Sequence, residues 1–327
     1  MWLLIPIFFL GFLTPIQTAA NSRLRQSVVS PMVASLVSFT VGTLFLAIVV
    51  LCEKGSLMIE SELIERLPWW AWLGGMCGLW GLTINIIIFP KLGAVQTALM
   101  PMLGQIGMGI IIDSFGLLQS PVFPFTFKRA LSLIILLVGI VMIVRQKESA
   151  EKKSKLLVWQ LIGISGGAVF AMQPSMNSLL SVGLYSSVHA AFVSFVTATI
   201  LLFLLVVIIP RDRINIPKIF LSHKLFSKGS SDSVDNSFDR PWWSWLGGII
   251  GGTFVTGFAF FASKTGIGLL LVTSICGMLT NSLIIDKYGL FGAVKKHIGL
   301  MQYMGLILVV IGIIILSCLK HSGVRSL

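Results

Sequence analysis

Two copies of one short motif decide how this chain folds: PWWAWLGG at residues 68–75 and PWWSWLGG at residues 241–248. They lie 173 residues apart and differ only by an alanine-to-serine change. Eight positions with one change are not a chance match in a chain of this length, so the chain contains an internal repeat.

The repeat extends well beyond the motif. Four further pairs keep the 173-residue spacing: Lys91 with Lys264, Gly104 with Gly277, Asp113 with Asp286, and Gly139 with Gly312. Upstream the spacing is 156 residues, as for Gln17 with Gln173. The difference falls in the polar segment 211–240, which is longer than its counterpart. We therefore predict a first half at 1–146, a linker at 147–155, and a second half at 156–327 with an extended loop at 211–240.

Composition identifies the solvent of most of the surface. The chain is 56% hydrophobic and 11% charged, with a mean hydropathy of +0.95, whereas soluble domains are about 25% charged. This favours a protein embedded in a lipid bilayer. The net charge of +12 comes mostly from short loops between apolar runs, which indicates a topology signal rather than a nucleic-acid surface. The four cysteines form no CxxC pair, so we interpret them as small buried hydrophobic residues rather than metal ligands or disulfides. We expect no cofactor.

Ten apolar runs are long enough to cross a bilayer as helices. They cover approximately residues 2–22, 33–52, 69–89, 94–112, 128–145, 156–177, 188–209, 242–263, 267–285 and 298–319. Backbone groups in hydrocarbon must be satisfied within each segment, so we predict an all-α membrane protein of ten transmembrane helices. Five crossings per half is an odd number, so the two five-helix repeats should be inverted, a recurring plan of secondary transporters.

Counting Lys and Arg orients this topology. With the N-terminus outside, the inside loops hold 17 of the 24 basic residues. The positive-inside rule then favours both termini outside. The two tryptophan triplets open the third and eighth predicted helices, where an interfacial anchor is favoured over substrate stacking. Glycines four apart follow them in both halves and favour close packing of helices.

Polar residues inside apolar helices are the candidate binding residues, because each is costly unless it faces protein or water. Gln17 and Asn21 share one face of the first helix, and Gln173 and Asn177 repeat this on the sixth. A proline adjoins each pair and can bend its helix. The amides either line a central cavity or form hydrogen bonds between helices.

Other candidates lack a counterpart in the repeat. Asn85 aligns with Phe258 and Gln105 with Met278, as an asymmetric substrate would require. Trp80 is a tryptophan deep in a predicted span, where it either packs in the core or forms a cavity wall. Asp113 and Asp286 end the fourth and ninth helices, either as hydrated interfacial residues or as sites for a proton or cation.

Four motifs together resemble those of one transporter family. They are QxxxNS at 17–22, PWWxWLGG, KxG at 91–93 and IDxxGL at 112–117. The chain resembles the YdcZ-like inner-membrane exporters of the drug/metabolite transporter superfamily, in a fused form that carries both five-helix halves. The resemblance implies a cell-membrane transport protein and names no substrate. Small multidrug exporters of that superfamily carry a glutamate in the first helix, whereas the first glutamate here is Glu53, in a loop. Their proton-coupled mechanism therefore does not carry over.

We predict an alternating-access exporter of a small organic solute, acting as a fused pseudo-dimeric monomer or a weak homo-oligomer in the bilayer. The alternative is a membrane scaffold or sensor subunit without transport activity, whose long loop would bind a soluble partner. A membrane-embedded enzyme is disfavoured, because the four histidines are scattered and none pairs at a metal spacing. The chain is therefore expected to bind a small molecule and lipid, but no nucleic acid.

Overall fold

A computed structural model describes residues 2–28, 30–123, 125–144, 153–209, 242–292 and 299–323. These residues form helices and contain no strand, which confirms the predicted all-α class for the described part of the chain. The helices are α1 Leu4–Val28, α2 Pro31–Lys54, α3 Ser61–Arg66, α4 Gly74–Phe115, α5 Phe127–Val144, α6 Lys153–Gly183, α7 Ser187–Ile208, α8 Leu246–Thr265, α9 Ile267–Tyr288 and α10 Leu300–Gly323. The extended loop at 211–240 and most of the predicted linker lie outside the described residues.

Six described helices are long and apolar enough to cross a membrane. They contain the spans Leu4–Arg25, Pro31–Lys54, Leu157–Gly183, Ser187–Ile208, Trp242–Thr265 and Ile267–Ile285. Each agrees with a predicted run to within a few residues. The tryptophan triplets do not open α-helices as predicted. They form 3-10 turns, Trp69–Leu73 before α4 and Trp242–Trp245 before α8.

Equivalent residues of the two halves take the same local structure. Ser30 and Ser186 lie 156 residues apart, and the hydroxyl of each accepts a backbone N–H at the start of its helix, α2 or α7. Gly116 and Gly289 lie 173 residues apart and end α4 and α9 with φ of 63° and 67°. Such positive φ values favour glycine. The repeat seen in the sequence is therefore also a repeat of backbone geometry.

Helix α4 differs from the two separate spans predicted at 69–89 and 94–112. It is one helix of 42 residues, which would be about 63 Å long if straight. Its two arms nevertheless contact the same part of α6. A methyl group on Gly166 would lie 2.6 Å from Ile84 in the first arm, and one on the adjacent Gly167 would overlap the carbonyl oxygen of Pro101 in the second. The chain therefore folds back on itself within α4.

Helices of one half pack against helices of the other. A methyl group on Gly139 of α5 would lie 2.6 Å from the carbonyl oxygen of Gly305 in α10, and one on Gly312 3.0 Å from that of Ser132. Each contact is the repeat equivalent of the other, and the residue numbers run in opposite directions, so α5 and α10 pack antiparallel.

Helices α2 and α7 meet through residues that are repeat equivalents of each other. The hydroxyls of Thr43 and Thr199 lie 3.0 Å apart, and the rings of Phe39 and Phe195 lie 5.0 Å apart between centroids. Each of these residues therefore contacts its own equivalent in the other half, across the α2–α7 interface.

Candidate functional site

A cavity of about 310 Å³ lies between the two halves. Five amides, several hydroxyls, several glycines and five phenylalanine rings make up most of its lining. The lining residues are Thr14, Gln17, Thr18, Asn21, Ser35, Ser38, Phe39, Gly78, Gly81, Asn85, Pro101, Gln105, Gly166, Gly167, Phe170, Gln173, Phe195, Gly251, Phe254, Val255, Phe258, Ser274, Ile275 and Met278. The structure thus brings together five of the nine residues singled out by the sequence, namely Gln17, Asn21, Asn85, Gln105 and Gln173.

The two glutamines occupy equivalent settings. Gln17 lies in α1 against Gly251 of α8, and Gln173 lies in α6 against Gly78 of α4. A methyl group on either glycine would approach the amide to within 2.7 or 2.8 Å. The glycines therefore leave the space that each amide uses. Both α1 and α6 continue through their prolines, Pro15 and Pro174.

The two asparagines of the same motif differ. Asn177 is 1% exposed, and its Oδ1 accepts a hydrogen bond from the Ser194 hydroxyl at 2.5 Å. It lines no part of the cavity and instead links α6 to α7. Asn21 does line the cavity, and its buried Oδ1 has no hydrogen-bond partner among the described residues. One copy of the motif thus makes an internal hydrogen bond, while in the other the acceptor is buried without a partner among the described residues.

Helix α4 adds two amides that the second half lacks. Asn85 lines the cavity from the first arm of α4 and Gln105 from the second. The equivalent positions in α8 and α9 hold Phe258 and Met278. The Oδ1 of Asn85 is buried without a partner among the described atoms. A buried acceptor without a partner costs about 1–3 kcal/mol, so this atom is suited to a donor supplied by a ligand.

None of the described residues that line the cavity carries an ionisable side chain. An ion enclosed by such a wall would lose its hydration without gaining an opposite charge, at a cost of several kcal/mol or more. The rings of Phe254 and Phe258 stack 4.0 Å apart between centroids and give the cavity an apolar surface. The cavity is therefore matched to an uncharged organic molecule.

Trp80 is not brought to the cavity. Its side chain is 52% exposed, because it projects from α4 away from the face that carries Gly78 and Gly81. The indole therefore faces outward, which corrects the prediction of a core or cavity-wall residue. Hydropathy places Trp80 within a span but does not say which side of the helix it occupies.

Asp113 lies away from the cavity and makes a helix cap. Its carboxylate accepts the backbone N–H groups of Ile267 and Gly268 at 2.7 and 2.8 Å, at the start of α9. It also pairs with Arg129 at 2.9 Å. These contacts engage both carboxylate oxygens, and a negative group at a helix N-terminus is stabilising. Coupling of Asp113 to a proton or cation stays a prediction, and the side chain of Asp286 lies outside the described residues.

Sequence reasoning missed the aromatic lining. Phe39 and Phe195 are repeat equivalents, but nothing in the sequence pattern indicates that they contact each other. Phe254 and Phe258 lie four residues apart on one helical face, which is also the spacing of ordinary core residues. Thr14 and Thr18 share a face with Gln17 and could have been found from helical spacing alone.

Comparison with known proteins adds a family and a fold. The family model described as "Putative inner membrane exporter, YdcZ" matches residues 1–142 and 158–315. The chain belongs to this family. A solved crystal structure with 14% sequence identity matches 97% of this chain and 97% of its own chain with a TM-score of 0.66, which shows a shared fold. No curated protein matches the chain.

Membership of the YdcZ family sets the general class. The family is one of inner-membrane exporters, and the chain has several apolar helices of spanning length. The chain is thus a multi-pass inner-membrane protein of transporter type, and this membership suggests that it is not an enzyme.

Proposed function

We propose that this YdcZ-family chain exports a small organic solute by alternating access, with the cavity between the halves as the binding site. The observation that carries the proposal is the equivalent pair Gln17 and Gln173. Each amide is presented by a proline-containing helix of one half and lies against a glycine of the other half. Relative movement of the halves would change both contacts together, as alternating access requires.

The proposed topology has ten crossings in two inverted repeats, at 1–146 and 156–327, with both termini outside. Three observations support it. Helix α4 folds back and is long enough for two crossings. Helices α5 and α10 are repeat equivalents and pack antiparallel. The third is an exchange of contacts, in which Gly74 lies against Asn177 and its equivalent Gly247 lies against Asn21.

The functional unit in this proposal is one chain. Both walls of the cavity come from the same polypeptide, so a single copy supplies every lining residue described above. A weak homo-oligomer is compatible with the proposal but is not needed to complete the site.

A transport assay on reconstituted protein tests the proposal. Proteoliposomes loaded with a small-molecule cell extract are incubated, and the solutes that leave are identified by mass spectrometry. We expect the wild-type protein to release a restricted set of solutes. The Gln17→Leu/Gln173→Leu variant should lose this release while inserting normally, because leucine fills the volume of the amide without its hydrogen bonds.

The matched control is Gln119→Leu, which makes the same change at an exposed position outside the cavity. Its release should equal that of the wild type. Undiminished release by the double variant would exclude the proposed site. Absence of release by the wild-type protein would contradict transport and favour the scaffold or sensor alternative.

A further inference from the structure

The cavity has two chemically different sides, although the two arms of α4 on one side are repeat equivalents of α8 and α9 on the other. Helix α6 is the equivalent of α1, which contributes Gln17 to the lining. We define the α4–α6 side as Gly78, Gly81, Asn85, Pro101, Gln105, Gly166, Gly167, Phe170 and Gln173. We define the α8–α9 side as Gly251, Phe254, Val255, Phe258, Ser274, Ile275 and Met278. The first side holds three amides and four glycines, whereas the second holds two phenylalanines, three aliphatic side chains and no amide.

The difference follows from three substitutions between repeat equivalents. Gly81, Asn85 and Gln105 on the first side correspond to Phe254, Phe258 and Met278 on the second. Gly81 leaves space for the ring of Phe170, since a methyl group at 81 would lie 3.0 Å from that ring, whereas position 254 carries a ring of its own. The α4–α6 side therefore presents three amides beside one ring, while the α8–α9 side presents two stacked rings and no amide.

The carboxamides determine what the α4–α6 side can bind. Each has two N–H donors and an acceptor oxygen, so the group presents both kinds of partner at once. The Oδ1 of Asn85 is buried without a partner among the described residues, so a bound molecule gains by supplying a donor to it. A complementary ligand group must therefore both donate and accept, as an amide or hydroxyl does.

Size and charge limit the rest of the molecule. A cavity of about 310 Å³ holds on the order of ten water-sized groups, at about 30 Å³ for each. The described lining residues carry no charge, so an ammonium or carboxylate group placed against them would be desolvated without a partner. Phenylalanine faces attract cations only weakly at about 0.5–2 kcal/mol, which does not offset that cost.

We propose that the transported solute is an uncharged molecule of about ten non-hydrogen atoms with two unlike ends. An amide or hydroxyl end lies on the α4–α6 side against Asn85, Gln105 and Gln173. An apolar ring or short chain lies against Phe254 and Phe258. This assignment rests on the proposed function, since it takes the cavity to be the transport site.

Calorimetric titration of the purified protein in nanodiscs tests the assignment, with empty nanodiscs as the blank. Benzamide is the probe, because it joins one carboxamide to one ring. Acetophenone has the same shape but no N–H donor, acetamide lacks the ring, and benzoate and benzylammonium carry a charge. We expect saturable binding of benzamide at least about tenfold tighter than that of any other probe, because a site built to hydrogen-bond a polar group rejects analogues that lack it.

Two variants test which residues cause the preference for benzamide over acetophenone. Asn85→Leu/Gln105→Leu should weaken benzamide about tenfold and bring it to the level of acetophenone. The matched variant Phe258→Leu/Met278→Leu changes the equivalent positions of the other side. It should weaken binding of benzamide and acetophenone by the same factor, so the ratio of their affinities stays unchanged. Thermal unfolding of both variants shows that each remains folded.

Three results would overturn the assignment. They are binding of benzoate or benzylammonium as tight as that of benzamide, an unchanged ratio in Asn85→Leu/Gln105→Leu, and no saturable benzamide binding up to its solubility limit. Equilibrium binding needs no turnover, so these failures are distinct from unchanged solute release by Gln17→Leu/Gln173→Leu.

Discussion

The helix packing of this YdcZ-family protein, here called the frame, repeats between the two halves, whereas the lining of the cavity does not. In the frame, equivalent residues make equivalent contacts, as with Gly139 and Gly312 between α5 and α10. In the lining, equivalent positions often differ, as with Asn85 and Phe258. The comparison teaches that backbone packing is duplicated while the chemistry of the cavity is not. A symmetric scaffold can thus enclose an asymmetric site.

The largest effect on stability should come from Asp113, which lies in the first half and caps helix α9 of the second half. Asp113→Ala leaves Arg129 buried without its partner and two N–H groups of α9 without an acceptor. We expect a loss of about 3–5 kcal/mol in the free energy of unfolding, measured by SDS titration of micellar protein.

The control for this variant is Glu62→Ala, which breaks the exposed ion pair with Arg66. It should cost less than about 1 kcal/mol. Equal losses in the two variants would contradict a structural role for Asp113. In the second half the position of Arg129 is held by Gln302, so Arg129→Gln measures how much the ion pair adds to this cap.

The next effect tests the duplicated frame. A methyl group at Gly11 would overlap the carbonyl oxygen of Ser274, and one at the equivalent Gly167 would overlap that of Pro101. Gly11→Ala and Gly167→Ala should therefore each destabilise the protein by about 3 kcal/mol, through forced separation of helices. Gly107→Ala, in α4 with open space around its Cα, is the control and should be neutral or slightly stabilising. A large loss for only one of the two contact glycines would break the equivalence of the halves.

The smallest effect tests a contact whose two members have exchanged size. Ile84 of the first half packs against Gly166 of the second, and at the equivalent places Gly257 of the second half packs against Leu10 of the first. Gly257→Ile should cost about 1–3 kcal/mol by overpacking against Leu10. Adding Leu10→Gly reproduces the Ile84–Gly166 contact at the equivalent place and should recover part of that loss as a positive coupling in the double-mutant cycle. Purely additive losses would show that the two contacts are not equivalent.

The sequence alone could predict the frame better than the site. Repeat spacing and hydropathy are properties of whole helices, so the two halves and the all-α class follow directly from them. Hydropathy predicts two crossing segments, 69–89 and 94–112, in the region of α4. It does not predict that they form one continuous helix. The amides were found because a polar side chain is conspicuous in an apolar helix.

What the sequence could not supply was the direction of individual side chains. Asn21 and Asn177 occupy the same motif and lie against equivalent glycines, yet only Asn177 receives the Ser194 hydroxyl and only Asn21 lines the cavity. Trp80 lies in a span but faces outward. Phe254 and Phe258 stack within α8, and they line the cavity only because of where α8 packs in the bundle. These outcomes depend on which helix lies next to which, and a single sequence does not contain that information in readable form.

The most direct test of the account is the side of the membrane on which each tryptophan triplet lies. Trp69 and Trp242 are equivalent and similarly exposed, at 76% and 75%, so Trp69→Cys and Trp242→Cys are matched labelling sites in a chain whose four native cysteines are replaced. Intact cells are treated with a membrane-impermeant maleimide. Two inverted halves with the termini outside predict that Trp69→Cys is labelled at once and Trp242→Cys only after the membrane is opened. Labelling of both from the same side would contradict the inverted arrangement on which the proposed transport mechanism depends.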